Sequence, residues 1–501
     1  MKTETPVSTT ALVKTLFFII LGVALFLRIY QYYFLDRSLW EDEAHLALNF
    51  VYYGYKDLSK PLANFQSAPI LFLYAIETFS HLFGLGEKAL RFFPFIVSLC
   101  VIPLFYHLIY SLTKNYLTAL LGFLMLAVNM FIIYYSSELK PYTIELSIYI
   151  LLVYLEFSDN SFVRKHRNLL LILAGTFALL TATMSMVVLF CLGACKAWRW
   201  LKKETTFKSD LPVLASWAVV FLINFFLFIY KHPYAQGMRS IWGEGFFPTN
   251  VFSAEFVQFL QIKINETIFH NMLYVGEDFG FRYVLLFIMI IGTISMIRSK
   301  NYYLLFLTWL PIIIHLVLSM LKLYPFYYRM VLYLLPPFII IIAVGVTSIA
   351  TFLKEKFTII PAGIFLAYAI YCLINPSVRN FPFDAKEVKP SLAIINERYP
   401  NSKIFVTTPK TLYEYYYRIG KVKNGNYEGL RWPLTPEDYK KATEKEHTPY
   451  ILFHSSIPGI DGFKPVVDSL KKRNMVVREY DYKTYTITEV NPQVADTVGI
   501  K

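Results

Sequence analysis

The sequence predicts an α-helical polytopic membrane protein that ends in a small α/β domain. Of its 501 residues, 56% are hydrophobic and only 17% are charged, whereas soluble domains carry roughly 25% charged residues. The apolar residues form long runs, and a helix needs about 20 such residues to cross the hydrocarbon of a bilayer. After residue 375 the charge density becomes ordinary, which predicts a separate domain of alternating helices and strands.

The apolar runs predict about eleven transmembrane helices. The first run is too long for a signal-peptide core and has no small-residue cleavage site after it, so it is interpreted as an uncleaved span. An N-terminus in the cytoplasm then places every basic cluster inside. The spans are expected at about 15–35, 92–112, 117–135, 142–159, 168–183, 184–199, 211–230, 283–297, 302–321, 330–352 and 357–375. The basic clusters are Arg164–Arg167, Arg199–Lys203, Arg298–Lys300 and Lys354–Lys356.

One further apolar segment, Ser67–Phe83, decides the orientation of everything after it. It is short and carries Glu77 and His81 one helical turn apart, and if it crossed the membrane, Arg164–Arg167 would lie outside. It is therefore predicted to be a helix in the membrane interface, with its polar residues turned to water.

The predicted domains are a transmembrane domain over residues 1–375 and a small extracytoplasmic α/β domain over residues 376–501. An odd number of spans places the second domain outside. Its periodicity predicts three helices, at Ser391–Tyr399, Thr411–Arg418 and Phe463–Arg473. It also predicts strands at Lys403–Thr408, Tyr450–His454 and Met475–Tyr480.

The composition argues against two classes of function. The formal net charge is +13, but much of the excess lies in short loops between apolar runs, where cytoplasmic retention of Lys and Arg explains it better than nucleic-acid binding. The four cysteines lie inside or at the ends of apolar runs and are interpreted as packing residues rather than as a disulfide framework or a zinc site: Cys100, Cys191, Cys195 and Cys372.

Charged residues outside the predicted spans gather in four clusters: Trp40–His45, Tyr135–Tyr142, Tyr324–Arg329, and the loop 231–282 with Arg239, Trp242 and Glu244. In the first cluster Glu41, Asp42 and Glu43 repel one another. At least one pKa is therefore expected to be raised, as suits a general base. A solvated acidic loop, or capping of a helix by Asp42 and Glu43, explains the same residues without chemistry.

The second and third clusters place cations beside aromatic residues at the ends of spans. Lys140 is placed to snorkel, and the tyrosines near Arg329 are typical of an interfacial aromatic belt. Arg329 itself is suited to a lipid phosphate through bidentate hydrogen bonds. Carboxylates and cations together fit transfer from a phosphate-linked lipid donor, in which a carboxylate deprotonates the acceptor hydroxyl and cations stabilise the departing phosphate.

Five segments follow one another in a specific order: Leu39–Ala44, Gln66–Pro69, Glu87–Pro94, Tyr134–Tyr142, and Tyr324–Phe326 with Arg329. Together they resemble the motifs of the GT-C superfamily of polyprenol-phosphate-sugar-dependent glycosyltransferases, in the branch of protein O-mannosyltransferases and the lipid A aminoarabinose transferase. The first segment is similar to the Leu-Trp-x-Asp-Glu-Ala of that branch. The resemblance is specific over residues 15–160 and looser over 200–375.

The resemblance implies a fold with interfacial helices in the first outer loop, and it implies roles for individual residues. Asp42 is expected to be the catalytic base, with support from Glu43. Arg329 is expected to hold the lipid phosphate. Lys140 stands where many relatives have arginine. Substrate contacts are implied at the matching positions Gln66, Glu138, Lys140, Tyr142 and Arg329.

The implied activity is hexosyl or pentosyl transfer, with inversion at the sugar carbon, from a polyprenyl-phosphate sugar to an extracytoplasmic protein, lipid or polysaccharide. Some members use a divalent cation and others do not, and the three adjacent carboxylates leave this open. Membrane lipids are the expected surroundings, and the plasma (inner) membrane is the expected location. No nucleic-acid partner is expected.

Two other classes of function stay open at this point. A transporter or flippase of lipid-linked glycans usually needs ionisable residues along a central path and often has paired repeats. The predicted spans carry almost no charge, which favours the enzyme. A structural or assembly subunit, with the C-terminal domain as its interaction module, would gain if Asp42 proved dispensable.

Overall fold

The computed structural model describes residues 7–230, 240–272, 279–352, 363, 367, 387–407, 409–430, 434–456, 463–482 and 484–493. The chain divides into two compact units. The helical unit consists of Met1–Leu35, Ser67–Ile76 and Arg91–Arg379. The sheet unit consists of Asp36–Gln66, Glu77–Leu90 and Asn380–Lys501, so it joins two segments near the N-terminus to the C-terminal domain.

The described part of residues 7–352 is mainly helical. The helices are α1 Val7–Ile29, α2 Glu41–Tyr52, α3 Tyr55–Leu58, α4 Ile70–Phe83, α5 Glu87–Thr113, α6 Tyr116–Val128, α7 Met130–Tyr135, α8 Tyr142–Phe157, α9 Ser161–Thr181, α10 Ser185–Leu201, α11 Phe207–Asn224, α12 Ala254–Lys263, α13 Phe279–Arg298, α14 Tyr302–Met320 and α15 Leu335–Phe352. Three helices continue as π-helix, at Tyr30–Phe34, Phe225–Ile229 and Ile264–Met272. A 3₁₀ segment, Tyr328–Leu334, leads into α15.

Five helical stretches in the described part of the chain are long and apolar enough to cross a membrane: Ala11–Phe34, Glu87–Thr113, Phe207–Ile229, Tyr302–Met320 and Tyr328–Phe352. Each coincides with a predicted span. Other predicted spans correspond to shorter helices, such as α6 with 13 residues and α8 with 16. The predicted span at 357–375, the boundary at residue 375, Lys354–Lys356, Cys372 and Arg239 lie outside the described residues.

The predicted span at 117–135 is divided at Asn129. This residue leaves the helical conformation (ψ 113°), and its side chain accepts a hydrogen bond from the Ile132 amide at 3.0 Å, which caps α7. The fully buried Arg28 of α1 donates to the carbonyls of Leu126 and Ala127, at 3.2 and 3.1 Å. Both carbonyls lie in the last turn of α6, where they lack helical partners. Hydropathy does not reveal such a break, because every residue around it except Asn129 is apolar.

Small residues let helices of this unit approach closely. A Cβ atom on Gly292 of α13 would lie 2.3 Å from the Ile341 carbonyl oxygen, and one on Gly345 of α15 would lie 2.1 Å from the Ile288 carbonyl oxygen. The backbones of α13 and α15 are therefore in contact, and a side chain at either glycine would separate them.

Buried charges inside the helices correct the expectation that the spans are almost uncharged. Lys196 of α10 lies 3.0 Å from Glu156 of α8 and 2.8 Å from Asp210 of α11. Arg199 pairs with the same Glu156. Because opposite charges meet with little access to water, removal of one partner would leave another buried without its counter-charge. These ion pairs connect α8, α10 and α11.

Helix α4 matches the segment predicted to lie in the interface. With 14 residues it is about 21 Å long, shorter than the ~30 Å of hydrocarbon. The expectation that its polar residues face water holds only in part. The ring of His81 is exposed, but Glu77 is buried and lies 3.1 Å from the His81 Nε2 atom. The carboxylate is therefore held within the fold by its own helix.

The C-terminal part of the sheet unit is a five-stranded mixed sheet with helices, which confirms the predicted α/β domain. Its elements are α16 Lys389–Arg398, β1 Lys403–Val406, α17 Lys410–Arg418, β2 Tyr427–Gly429, α18 Pro436–Thr443, β3 Tyr450–Ser455, α19 Phe463–Lys472, β4 Val476–Tyr482 and β5 Tyr485–Val490. The strand order is β2-β1-β3-β5-β4. Strands β1 and β3 are parallel, whereas β5 is antiparallel to both β3 and β4.

All six elements predicted for this domain are present, with ends shifted by a few residues. The prediction missed β2, α18 and β5. Strand β2 has only three residues, and α18 is largely polar. Strand β5 contains Thr486 and Thr488, and its buried positions are recognisable only once it pairs with β3 and β4.

Candidate active site

Helix α2 begins where the three adjacent carboxylates occur. Trp40 has an extended backbone (φ −98°, ψ 170°), and Glu41, Asp42 and Glu43 form the first turn. Negative charge at this position interacts favourably with the N-terminal end of the helix dipole. The acidic cluster is therefore compatible with a helix start, and it places Asp42 on a regular element rather than on a mobile loop.

The three carboxylates have different partners. Glu43 is fully buried, and its Oε2 accepts a hydrogen bond from the Trp40 amide at 3.3 Å. Glu41 accepts a hydrogen bond from the Tyr485 hydroxyl at 3.1 Å. Asp42 is half-buried, and its Oδ1 lies 3.4 Å from the Gln66 amide nitrogen. The capping interpretation therefore holds for Glu43. The raised pKa expected in this cluster stays a prediction.

Gln66 reaches Asp42 because the chain before it turns sharply. Asn64 and Phe65 both have left-handed backbones, with φ of 58° and 54°, a conformation that is uncommon for residues other than glycine. The turn is held by Asn49 of α2, whose side-chain oxygen accepts the Ala63 amide at 2.8 Å. Gln66 is 8% exposed and also donates to the Asn64 carbonyl at 3.3 Å. The structure thus brings two predicted site residues, Asp42 and Gln66, together.

The helical unit contains the other predicted site residues. The segment between α7 and α8 packs inside the unit, where Glu138 is 0% exposed and Lys140 is 7% exposed. A snorkelling lysine would carry its ammonium group to water, so the burial of Lys140 favours a role inside the protein. Thr143, at the start of α8, donates to the Tyr135 carbonyl and closes the turn.

Arg329 lies between two aromatic side chains. Its Nε donates to the Tyr142 hydroxyl at 3.2 Å, and its guanidinium carbon lies 5.8 Å from the Tyr142 ring and 5.6 Å from the Trp242 ring. Both distances are within the range of cation–π attraction. Trp242 is brought there by the loop that follows it, because the Phe326 amide donates to the Gly245 carbonyl at 2.7 Å.

Glu138 and Arg329 belong to one electrostatic neighbourhood. Both act on the buried phenols of Tyr135 and Tyr328. Burial raises the pKa of Tyr324 well above its usual value, Glu145 and Tyr142 raise it further, and Arg329 opposes them. The helical unit therefore holds a compact group of one predicted acid and one predicted cation among tyrosines that remain protonated.

No protein-family model matches the chain, and neither does any curated protein. Among solved structures, the chain is similar to ArnT from Cupriavidus metallidurans bound to undecaprenyl phosphate, with a TM-score of 0.50, 10% identity, and coverage of 98% of this chain and 99% of ArnT. For apo ArnT the TM-score is 0.51 at 11% identity, with 95% and 98% covered. ArnT, the lipid A aminoarabinose transferase, is a member of the superfamily that the motifs resemble. The chain has the GT-C fold. The predicted resemblance is thereby confirmed at the level of the fold.

Two residues on the long loop of this GT-C fold make contacts that the sequence did not predict. Trp242 belongs to the fourth charged cluster, and its ring lies beside the Arg329 guanidinium. Lys263, at the end of α12, is buried, with its Nζ 5.1 Å from the Tyr327 ring and 3.4 Å from Glu266. The Tyr327 ring also lies 5.7 Å from Trp242. A lysine that follows an aromatic-rich stretch was the available signal, but its contacts depend on tertiary packing.

The divalent cation used by some superfamily members stays a prediction for this GT-C fold. In the described ranges, no group of three or more His, Cys, Asp or Glu side chains is arranged to hold a metal ion. The carboxylates of the first turn of α2 instead have the protein donors given above.

Proposed function

We propose that this protein is a membrane glycosyltransferase that moves a sugar from a polyprenyl-phosphate donor to an extracytoplasmic acceptor, with Asp42 as the general base. The observation that carries the proposal is the placement of Asp42. It is half-buried at the start of a helix, with a glutamine beside it, while its two acidic neighbours accept hydrogen bonds from Trp40 and Tyr485. The similarity in fold to ArnT over nearly the whole of both chains supports the same class of donor.

The proposed reaction is a single displacement at the anomeric carbon. Asp42 takes the proton of the acceptor hydroxyl as the acceptor oxygen forms its bond to that carbon. The bond between the anomeric carbon and the phosphate oxygen breaks, and its electron pair leaves with the polyprenyl phosphate. The configuration at the anomeric carbon inverts. In this scheme Gln66 orients the Asp42 carboxylate through its amide group.

Arg329 is the proposed partner of the departing phosphate, where negative charge develops as the glycosidic bond breaks. Its contacts with Tyr142 and Trp242 hold the guanidinium plane, and charge-assisted bonds from a fixed fork are stronger than neutral ones. The buried indole N–H of Trp242 finds no acceptor among the residues that the structure describes. Because buried donors are nearly always satisfied, we assign it to a phosphate oxygen, alongside Arg329. Lys140 and Glu138 complete the proposed donor site.

The test uses the full-length protein in proteoliposomes with a panel of undecaprenyl-phosphate hexoses and pentoses, and with membrane extract as the source of acceptors. Release of undecaprenyl phosphate reports transfer whatever the acceptor is. Asp42→Asn should lower the turnover number by about 10²- to 10⁴-fold, the usual contribution of a positioned general base. Asp57→Asn is the matched control, because Asp57 lies in the same outer loop but pairs with Lys60 at the surface.

Undiminished turnover in Asp42→Asn would exclude this carboxylate as the base. If wild-type protein releases no undecaprenyl phosphate from any donor but moves intact lipid-linked sugar across the bilayer, the flippase alternative is correct.

A further inference from the structure

The chain that leads into α2 is held by the C-terminal domain. Three successive backbone amides, of Ser38, Leu39 and Trp40, donate to side chains. The Ser38 amide donates to Glu387 Oε2 at 3.0 Å, and the Leu39 amide donates to the Tyr416 hydroxyl oxygen at 3.1 Å. The Trp40 amide donates to Glu43 of α2. Two of the three acceptors therefore come from residues more than 340 positions further along the chain.

Further hydrogen bonds connect the segment before α2 and residues near it to the C-terminal domain. The Ser38 hydroxyl oxygen accepts the Val388 amide at 3.1 Å, and the Tyr416 hydroxyl donates to Glu87 Oε1 at 2.8 Å. Lys389 donates to the Asp36 carbonyl at 2.6 Å and lies 3.1 Å from Glu87. Segment Asp36–Trp40 has no helix or strand to satisfy its backbone, so these side chains replace the regular hydrogen bonds that it lacks.

The sheet adds a further contact at the acidic turn itself. Tyr485 of β5 is 1% exposed, and its hydroxyl donates to Glu41, the neighbour of Asp42. Burial raises the pKa of Tyr485 well above its usual value, and Glu41 adds to the effect. The phenol therefore stays protonated, and remains a donor to Glu41, over the whole working range of pH.

We propose that the C-terminal domain positions the catalytic base, and that Tyr416 and Tyr485 are the positioning residues that do so. This inference rests on the proposed role of Asp42. The domain fixes the backbone immediately before α2 and a side chain of its first turn, and hence the position of the Asp42 carboxylate. Displacement of a reacting group by about 1 Å can lower a rate by 10²-fold, so loose attachment of this turn is enough to suppress transfer.

Helix α17 supplies a matched control. Tyr413 lies one turn before Tyr416 on the same helix and is equally buried, but its hydroxyl donates to the Asn424 carbonyl at 2.8 Å, within the C-terminal domain. Tyr413→Phe and Tyr416→Phe therefore remove the same atom from the same helix. Only the second change releases segment Asp36–Trp40.

The experiment compares Tyr416→Phe, Tyr485→Phe and Tyr413→Phe in the full-length protein, with the undecaprenyl-phosphate sugar that the wild type uses. We expect the first two to lower kcat by about 10- to 100-fold, with little change in KM for the donor, and Tyr413→Phe to keep wild-type kcat. Amide hydrogen exchange over residues 36–44 should be faster in Tyr416→Phe and unchanged in Tyr413→Phe. If Tyr416→Phe does not fold, Tyr485→Phe decides the question, because it removes one donor to a half-buried carboxylate.

The outcomes separate this inference from the proposed function. Loss of activity in Asp42→Asn with wild-type kcat in Tyr416→Phe and Tyr485→Phe overturns the positioning role and leaves the transferase standing. Equal losses of kcat in Tyr413→Phe and Tyr416→Phe also overturn it, since they indicate a general effect on the domain. Full activity in Asp42→Asn overturns the proposed base, and the positioning role falls with it.

Discussion

In the first turn of α2, three neighbouring carboxylates have three different partners, and Asp42 is half-buried. In the segment between α7 and α8, the single carboxylate of Glu138 is fully enclosed, and the adjacent Lys140 is nearly so. In the sequence, both segments are charged clusters beside apolar runs. In the structure, the first holds a half-buried acid at a helix start, whereas the second holds a fully buried acid among tyrosines and near a cation.

The difference teaches that an acidic residue at the end of a predicted span does not by itself indicate a catalytic base. A base must reach its substrate proton, and this is the role proposed above for the half-buried Asp42. A fully buried carboxylate acts mainly on the groups around it, because water does not screen its charge. We therefore expect loss of the Asp42 carboxylate to affect mainly turnover, and loss of the Glu138 carboxylate to affect mainly stability.

The largest expected effect is the presence or absence of cysteine labelling, which tests whether the two segments lie on the same side of the membrane. Single cysteines at Lys60, Lys322 and Lys165, all exposed, would be introduced into a cysteine-free protein in intact cells. The predicted orientation requires labelling by an impermeant maleimide at positions 60 and 322 and none at 165. Labelling at 165 together with 322 would place the basic cluster outside and remove the basis for comparing the segments as outer loops.

We expect Glu138→Gln to lower the stability of the protein, whereas Asp42→Asn should lower turnover with little loss of stability. Loss of a fully buried charge leaves its surroundings uncompensated, at a cost of about 1–3 kcal/mol in the free energy of unfolding. The half-buried Asp42 should tolerate the same change with little loss of stability. Thermal unfolding of both variants in detergent measures this, and equal melting temperatures would contradict the distinction drawn between the two segments.

Arg329→Ala should weaken donor binding more than it disturbs the fold. Hydrogen bonds to charged groups contribute about 1.5–3 kcal/mol, which corresponds to a rise in Kd of about 10- to 100-fold. Native mass spectrometry with undecaprenyl phosphate gives the affinity, and the melting temperature gives the stability. Arg298→Ala, in the last turn of α13, is the control for loss of one positive charge. An unchanged Kd for undecaprenyl phosphate would remove Arg329 from the donor site.

The smallest effect is expected at Glu41, which precedes Asp42 in the chain. Glu41→Gln keeps an oxygen that accepts the Tyr485 hydroxyl, whose raised pKa keeps it protonated. Turnover should therefore stay within about 3-fold of the wild type, because the exchange of one acceptor for another changes a hydrogen bond by a fraction of its ~1 kcal/mol. A loss of turnover as large as that of Asp42→Asn would indicate that the Glu41 carboxylate itself takes part in catalysis.

Much of the architecture was accessible from the sequence because it follows from local patterns. Long apolar runs predicted the five helices in the described residues that are long and apolar enough to cross a membrane, and alternating periodicity predicted β1, β3 and β4. The order of the motifs predicted the fold shared with ArnT. These features depend on residues close together in the chain, where hydrophobic spacing reflects the element directly.

Other features were missed because they depend on contacts between distant residues. The break at Asn129 is stabilised by Arg28, about a hundred positions away. The buried pairs of Lys196 with Glu156 and Asp210 join three helices. Neither feature changes the hydrophobic periodicity of the sequence. A polar residue in an apolar run gives the same pattern whether or not it has a partner in the folded protein.

At the candidate site, the sequence by itself determined which residues are available: three acids before an apolar helix, and an arginine after a group of tyrosines. Only the tertiary structure decided how they differ. In the fold, Glu43 is a buried cap and Glu41 accepts a hydrogen bond from Tyr485. Asp42 is half-buried beside Gln66. Arg329 lies between Tyr142 and Trp242. The physical reason is that burial and hydrogen-bond partners are properties of the folded chain, and they set whether a carboxylate is fully buried at a helix start or stays partly exposed.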